Sequence, residues 1–149
     1  MRGTLEWTSP RGDARKMDEQ PDLRREKKVK LVARPGETSV FIDAEIDEKG
    51  NLLLSGYDIG KAPKEWFGHS DYEYWVVVAA SDKERVLSIL LGQVAGGQQF
   101  RPAGDASEDE KDWALLTVIE KTYGGDLRAV EAFGDLLKAN GIGFKFRTY

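Results

Sequence analysis

The chain has 149 residues, of which 40% are hydrophobic and 32% charged, with no cysteine and a formal net charge of −4. This length and composition predict one folded domain, and the absence of cysteine excludes disulfides, thiolate metal sites and cysteine nucleophiles. The first twenty residues lack the apolar core of an export signal, and the longest apolar stretch, residues 75–80, is far too short to span a bilayer. We therefore expect a cytoplasmic protein with no membrane contact.

The two parts of the chain differ in charge. Residues 1–30 contain nine Lys or Arg against six Asp or Glu, whereas residues 31–149 contain thirteen against twenty. Residues 1–27 also hold Pro and Gly without a sustained apolar period, which predicts a polar, basic and flexible arm ahead of a single domain over 28–149. An acidic body repels nucleic-acid backbones and favours basic protein partners. Nucleic acid binding is therefore expected only through the arm, at Arg24, Arg25, Lys27 and Lys28.

The domain begins with three predicted strands. Apolar and charged residues alternate over 28–33 and again over 40–46, a pattern typical of strands with one buried and one wet face. Between these strands, residues 34–37 have Pro and Gly at the positions that a type II turn favours, which predicts a hairpin turn. Gly50 ends a second short loop, and residues 51–57 return as a third strand. The first third of the domain is therefore predicted to be a β-meander.

A connection and a fourth strand follow. Residues 56–71 predict a connection with one helical turn, since Pro63 suits the first helical position and Gly68 suits the end of the turn. Residues 72–80 are rich in aromatic and β-branched side chains, and in the second half of this run these occupy both faces. This pattern predicts a central strand that is covered on both sides.

Two capping boxes predict the first two long helices. Residues 81–84 and 107–110 both begin with Ser and carry Glu three positions later, so that the Ser side chain and the Glu side chain can each accept a backbone hydrogen bond. The Gly- and Gln-rich residues 92–106 between them predict a mobile loop. In the second helix, either Asp112 or Trp113 belongs to the apolar face.

A third helix and a last strand complete the chain. Asp126 is placed to cap a helix that ends at Asn140 and Gly141, and residues 142–147 alternate as a strand. The resulting order β-β-β-β-α-α-α-β lacks the regular strand–helix alternation of a parallel fold. It predicts an α+β protein with a mostly antiparallel sheet of about five strands and helices packed on one face. The position of the last strand in the sheet stays open.

The sequence lacks the usual signatures of metal, phosphate and hydrolase sites. His69 is the one histidine, and no P-loop, dinucleotide-binding or nucleophile-elbow motif occurs. A relay through His69 would have to use its neighbours Ser70 and Asp71, which cannot readily reach opposite nitrogens of one ring. We therefore predict no catalytic residue, no metal and no cofactor, and interpret His69 as a loop histidine.

One segment concentrates aromatic and acidic residues within about twenty positions. Because part of it lies in a connection, where functional side chains are often displayed, we predict a partner-binding surface there. Its residues are Tyr57, Asp58, Glu65, Trp66, Phe67, His69, Asp71 and Glu73. A purely structural interpretation also fits, in which Trp66 and Phe67 cover the end of the sheet and the tyrosines pair across strands.

Two other functions stay open at this point. Asp43 and Glu45 share a face of the second strand, and Glu73 could join them, or Asp58 could line a cleft, in a small carboxylate-dependent enzyme or ligand-binding domain. The basic arm could bind nucleic acid, although lysines beside an edge strand also serve to discourage edge-to-edge pairing.

Parts of the chain resemble a known group of proteins. The stretch FIDAEI at 41–46, GYDIG at 56–60, WFG at 66–68 and YEYW at 72–75, with an Asn-Gly-Ile near the end, is similar to small uncharacterised bacterial proteins. Some of these resemble the immunity partners of bacterial toxins. The resemblance implies an acidic α+β body that binds another protein, and it brings no catalytic residue. Our leading hypothesis is therefore a non-enzymatic binding protein, either toxin-neutralising or regulatory.

Overall fold

The computed structural model describes residues 26–68 and 71–148, which form five strands and four α-helices. Two short 3-10 turns, Ala80–Asp82 and Gly97–Phe100, precede and follow the second helix. The elements in chain order are β1 Lys27–Arg34, β2 Thr38–Ile46, β3 Leu52–Gly60, α1 Lys61–Phe67, β4 Asp71–Val78, α2 Lys83–Gln93, α3 Glu108–Tyr123, α4 Ala129–Ala139 and β5 Lys145–Thr148.

The five strands form one antiparallel sheet in the order β1-β2-β3-β4-β5. The α+β class and the antiparallel sheet predicted from the sequence are therefore confirmed. The last strand, whose place was left open, pairs with β4 at the edge of the sheet. Each strand lies next to its successor in the sheet, although α1 connects β3 to β4 and the helices α2, α3 and α4 connect β4 to β5.

The core lies between one face of the sheet and α2, α3 and α4. Alternate residues of β2 and β3 are fully buried on this face, and the helices cover them with apolar side chains. The largest buried side chains of this core include Ile42, Leu52, Leu54, Leu90, Leu116, Ile119 and Phe133. The sheet residues between the buried ones are partly exposed, so the helices cover one face only.

The prediction that β4 is covered on both sides is wrong. Val76 and Val78 are buried beneath the helices, but Glu73, Trp75 and Val77 on the other face are partly exposed. Strand β4 does lie inside the sheet, between β3 and β5, and its aromatic and β-branched residues occupy both faces. The helices cover one of these faces, and the other is partly exposed. This exposed side is the basis of the candidate site described below.

The two predicted capping boxes have different outcomes. At α3, the backbone N–H of Glu110 donates to Ser107 Oγ at 3.1 Å and the backbone N–H of Ser107 donates to Glu110 Oε1 at 2.8 Å, which confirms the box. At α2 the box is wrong, because Ser81 lies inside a 3-10 turn and the α-helix begins at Lys83 without a side-chain cap.

The predicted arm falls almost entirely on residues that the structure does not describe, since the description begins at residue 26. Strand β1 begins at Lys27, one residue before the predicted start of the domain. Over the described ranges, none of the helices combines the length and the apolar character that crossing a membrane requires.

Candidate functional site

The predicted acidic–aromatic segment is divided between the two faces of the sheet. Strands β3 and β4 pair with Tyr57 opposite Glu73 and Asp58 opposite Tyr72. Because successive side chains of a strand point to opposite faces, Asp58 and Tyr72 face α4, where both line a cleft against that helix. Tyr57 and Glu73 lie on the side away from the helices. The segment is therefore not one continuous surface.

The side of the sheet away from the helices, which we call the open face, combines apolar and acidic side chains on its inner strands with basic side chains on its edge strands. Its partly exposed apolar side chains come from the three inner strands: Phe41, Leu53, Tyr57, Ile59, Trp75 and Val77. Its acids also come from the inner strands: Asp43, Glu45, Asp71 and Glu73. Its bases come from the two edge strands: Lys28, Lys30, Lys145 and Arg147.

One end of the open face carries the predicted acidic and aromatic residues. Phe41, Tyr57 and Glu73 are direct neighbours across β2, β3 and β4, and in the adjoining row Ile59 pairs with Asp71. No base from β1 or β5 pairs with the row of Phe41, Tyr57 and Glu73, since the β1 neighbour of Phe41 is an alanine and β5 ends at Thr148, opposite Tyr74. We refer to this region as the acidic end of the open face.

Helix α1 adjoins the acidic end and carries a strongly exposed tryptophan. The helix follows β3 directly and contacts β2, β3 and β4. Trp66 is 74% exposed and Glu65 is exposed as well. The alternative in which Trp66 covers the end of the sheet is therefore wrong, because a covering side chain would be buried. Phe67 is the last residue of α1, and His69 lies outside the described residues.

The carboxylates of the enzyme hypothesis do not converge. Asp43 of β2 lies opposite Ser55 of β3, which lies opposite Trp75 of β4. Glu73 is two residues from Trp75 along β4, and β4 is two strands, or roughly 10 Å, from β2. Lys28 Nζ is 3.9 Å from both Asp43 Oδ2 and Glu45 Oε1, as in an ordinary surface ion pair. Within the described ranges no group of three His, Cys, Asp or Glu residues could hold a metal ion.

Asp58 occupies a different environment on the helix side of β3. The Tyr74 hydroxyl donates to Asp58 Oδ1 at 3.0 Å, and the Tyr74 ring crosses β3 at Gly56, where an added Cβ would overlap the ring. Partial burial raises the pKa of the Asp58 carboxyl, and the hydrogen bond from Tyr74 opposes this shift. Burial and the negative charge of Asp58 raise the pKa of the Tyr74 hydroxyl, which stays a donor at neutral pH.

The raised pKa of Asp58 predicts a pH-dependent gain in stability for the Asp58→Asn variant. Between the ordinary carboxyl pKa of about 3.9 and the raised folded value, the folded state binds more protons at this site than the unfolded state, so the contribution of Asp58 to stability falls as pH rises. The neutral amide does not titrate. We expect the free energy of unfolding of the variant, relative to wild type, to increase with pH in urea titrations. A relative decrease with pH would contradict the raised pKa.

A buried ionic cluster joins β1, α2 and α3, and no sequence pattern indicated it. Asp112 is 3% exposed, and its carboxylate lies 2.9 Å from Lys27 Nζ and 2.6 Å from Lys83 Nζ. Lys27 also contacts the exposed Asp109, and the hydrogen bonds to Asp109 and then Asp112 raise the pKa of Lys27. Asp112, and not Trp113, is therefore the residue on the inner face of α3.

This cluster also bears on the nucleic-acid hypothesis. Lys27 is held by Asp109 and Asp112, and Lys28 lies beside Asp43 and Glu45, so neither lysine presents an uncompensated charge to a phosphate backbone. Arg24 and Arg25 lie outside the described residues. Of the four residues named in the third hypothesis, the two that the structure describes are therefore both matched by carboxylates.

No protein-family model, curated protein or solved structure matches the chain. A function can therefore be inferred only from the geometry and charge of its own residues.

Proposed function

We propose that the chain is a non-enzymatic protein-binding module, toxin-neutralising or regulatory in kind, that contacts its partner through the open face and the adjoining Trp66. The observation that carries the proposal is the one-sided coverage of the sheet. Six apolar side chains remain partly exposed together on the three inner strands, where the helices do not cover them. Contiguous exposed apolar surface is uncommon on monomeric proteins and marks interaction sites.

The open face shares two features with protein interfaces, namely aromatic side chains on its inner strands and basic side chains on its edge strands. Protein–protein interfaces have an apolar centre, enriched in Trp, Tyr and Phe, within a polar and charged rim. Here Trp75 and Tyr57 lie on inner strands and the bases lie on the two edge strands. Large aromatic residues near the centre of an interface carry most of its binding energy. Tyr57 and Trp75 are therefore the expected anchors of the contact.

The charge distribution favours a partner with a basic patch. Glu73 and Asp71 lie at the acidic end of the open face, together with Phe41 and Tyr57, and no base of β1 or β5 is paired into the row of Glu73. Glu65 adds a further acid on α1 beside Trp66. Complementary charge speeds association and suppresses wrong partners. A basic patch next to an apolar one on the partner would fit this end.

The Trp66→Ala variant tests the proposal. Wild-type protein is first used to capture and identify a partner from cells of the source organism, and the affinity of the purified partner is then measured by calorimetry. We expect Trp66→Ala to weaken binding by at least about 1.4 kcal/mol, or tenfold, because an exposed Trp at the contact would lose its buried area. Tyr57→Ala should act in the same direction.

The matched control is Trp113→Ala, which removes the same side chain from α3 on the helix side of the molecule, where Trp113 is 38% exposed. Its affinity for the partner should equal that of the wild type. If Trp66→Ala and Tyr57→Ala fold normally and both retain full affinity, the open face is not the contact surface.

A further inference from the structure

A cavity lies on the opposite side of the sheet from the proposed protein contact. It is about 530 Å³ in volume and lies between β3, β4 and β5 on one side and α4 on the other. Cavities of this size commonly hold small ligands. We call it the tyrosine cleft, after Tyr72 and Tyr74, which line it together with Asp58 and Phe146.

The tyrosine cleft is open because no large side chain of α4 fills the space beside Gly134. Gly134 contributes no side chain from α4, and a Cβ placed there would meet nothing closer than the Phe144 ring at 3.8 Å. At the mouth, Phe146 is 57% exposed and Leu127 is 40% exposed. Apolar surface is thus available both inside the cleft and at its entrance.

Asp58 gives the tyrosine cleft an unpaired negative charge. It occupies a helix-facing position of β3, in line with the fully buried Leu52 and Leu54. Its hydrogen-bond partner is the Tyr74 hydroxyl, and within the described residues no Lys or Arg nitrogen lies within 4.0 Å of its carboxylate. A carboxylate partly removed from water and lacking a cation is unfavourable by itself. A ligand that brings a positive charge would relieve this.

The aromatic side chains beside Asp58 are also suited to a cation. The Tyr72 and Tyr74 rings are stacked, with centroids 5.2 Å apart and planes inclined by 29°. The absence of a side chain at Gly56 lets the Tyr74 ring lie against β3 with its hydroxyl at Asp58. Aromatic faces attract ammonium and guanidinium groups, and more strongly where water is excluded.

The charges of α4 do not cancel that of Asp58. Arg128 and Glu131 pair with each other at 2.8 Å, and the remaining charged residues that line the cleft from α4 are Asp135 and Lys138. Counting all charged residues of the lining gives three acids, including Asp58, against two bases. The cleft as a whole therefore carries one excess negative charge when Asp58 is ionised.

We propose that the tyrosine cleft binds a small organic cation with an apolar body, with the positive group at the Asp58 carboxylate and the body against the Tyr72 and Tyr74 rings. The cleft faces α4 and not the open face, so this site is independent of the proposed protein contact. An amine or guanidinium compound of about ten non-hydrogen atoms suits a cavity of this size.

The proposal is tested with 2-phenylethylamine, using 2-phenylethanol as a neutral probe of the same shape. Calorimetry on the full chain should show binding of the amine at least tenfold tighter than that of the alcohol. In the Asp58→Asn variant this preference should disappear, because the amide keeps the hydrogen bond from Tyr74 but not the charge. The matched control Asp43→Asn, on the opposite face of the sheet, should bind the amine as the wild type does.

A second variant and two further probes keep the test decisive. Gly134→Leu should fill the cleft and abolish binding of the amine, with helicity measured by circular dichroism to establish folding. Tryptamine and agmatine extend the panel of amine and guanidinium probes. The proposal is overturned if no cation of the panel binds at millimolar concentration, if amine and alcohol bind equally, or if folded Asp58→Asn keeps the preference for the amine. Binding of a basic peptide but of no free cation would also overturn it.

Discussion

The Asp112→Ala variant is expected to lose about 3–5 kcal/mol of unfolding free energy, the range found when one partner of a buried ion pair is removed. Asp112 lies on the inner face of α3 and contacts Lys27 of β1 and Lys83 of α2. The side chains of both lysines are mostly buried, so the substitution would leave positive charges in a site that water hardly reaches. Urea unfolding at neutral pH measures the loss.

The exposed Asp109 provides the control for this prediction. It contacts the same Lys27, but its side chain is 72% exposed, and exposed ion pairs contribute at most about 1 kcal/mol. Asp109→Ala should therefore stay within about 1 kcal/mol of the wild type. If Asp112→Ala is as mild as Asp109→Ala, the buried cluster does not hold β1, α2 and α3 together as described.

The Gly60→Ala variant is expected to lose at least about 2 kcal/mol, because Gly60 adopts a conformation that is nearly restricted to glycine. Gly60 has a φ of 131° and a ψ of −140°, is the last residue of β3 and directly precedes α1. A Cβ added there would overlap the Glu37 carbonyl oxygen. That oxygen also accepts the backbone hydrogen bond of Lys61 at 3.1 Å. Relief of the overlap must therefore move the start of α1 away from β2.

A displaced α1 would also move Trp66, so Gly60→Ala should weaken partner binding in addition to stability. Gly36→Ala is the matched control, because Gly36 does not have a positive φ and its added Cβ would meet its nearest atom at 3.7 Å, an ordinary contact. We expect that variant to stay within about 1 kcal/mol of the wild type in urea unfolding. Equal stability of the two variants would contradict the constraint at Gly60.

The sequence was sufficient for the first three strands because the relevant signals are local. Alternation in β2 and β3, a turn between β1 and β2 and the Ser107 capping box all depend on residues close in sequence, and each is found in the structure. The turn is not of the predicted type II, because Gly36 lacks the positive φ that this type requires. The Ser81 box failed because of a distant contact. The backbone N–H of Ala80 donates to the Asn51 side chain at 3.0 Å, and the chain then makes a 3-10 turn through Ser81 before α2 begins.

The candidate surface was only partly predictable for the same reason. The sequence grouped Tyr57, Asp58 and Glu73 because they are close along the chain, whereas strand alternation separates Asp58 from the other two. The basic residues of β5 reach the open face only through the pairing of β4 with β5, which no local pattern specifies. Helical periodicity likewise could not choose between Asp112 and Trp113. The residue that contacts Asp112 from β1 is Lys27, which is 85 residues away in the sequence.

The proposed role of the open face is tested most directly by blocking its centre. The chain contains no cysteine, so a single Ser55→Cys substitution between Asp43 and Trp75 can be coupled to a maleimide-linked polyethylene glycol, with Glu120→Cys on the exposed side of α3 as the control. We predict that the label at position 55 abolishes binding of the partner captured by the wild-type protein, while the label at position 120 leaves it unchanged. Full binding with position 55 labelled would contradict the proposed function.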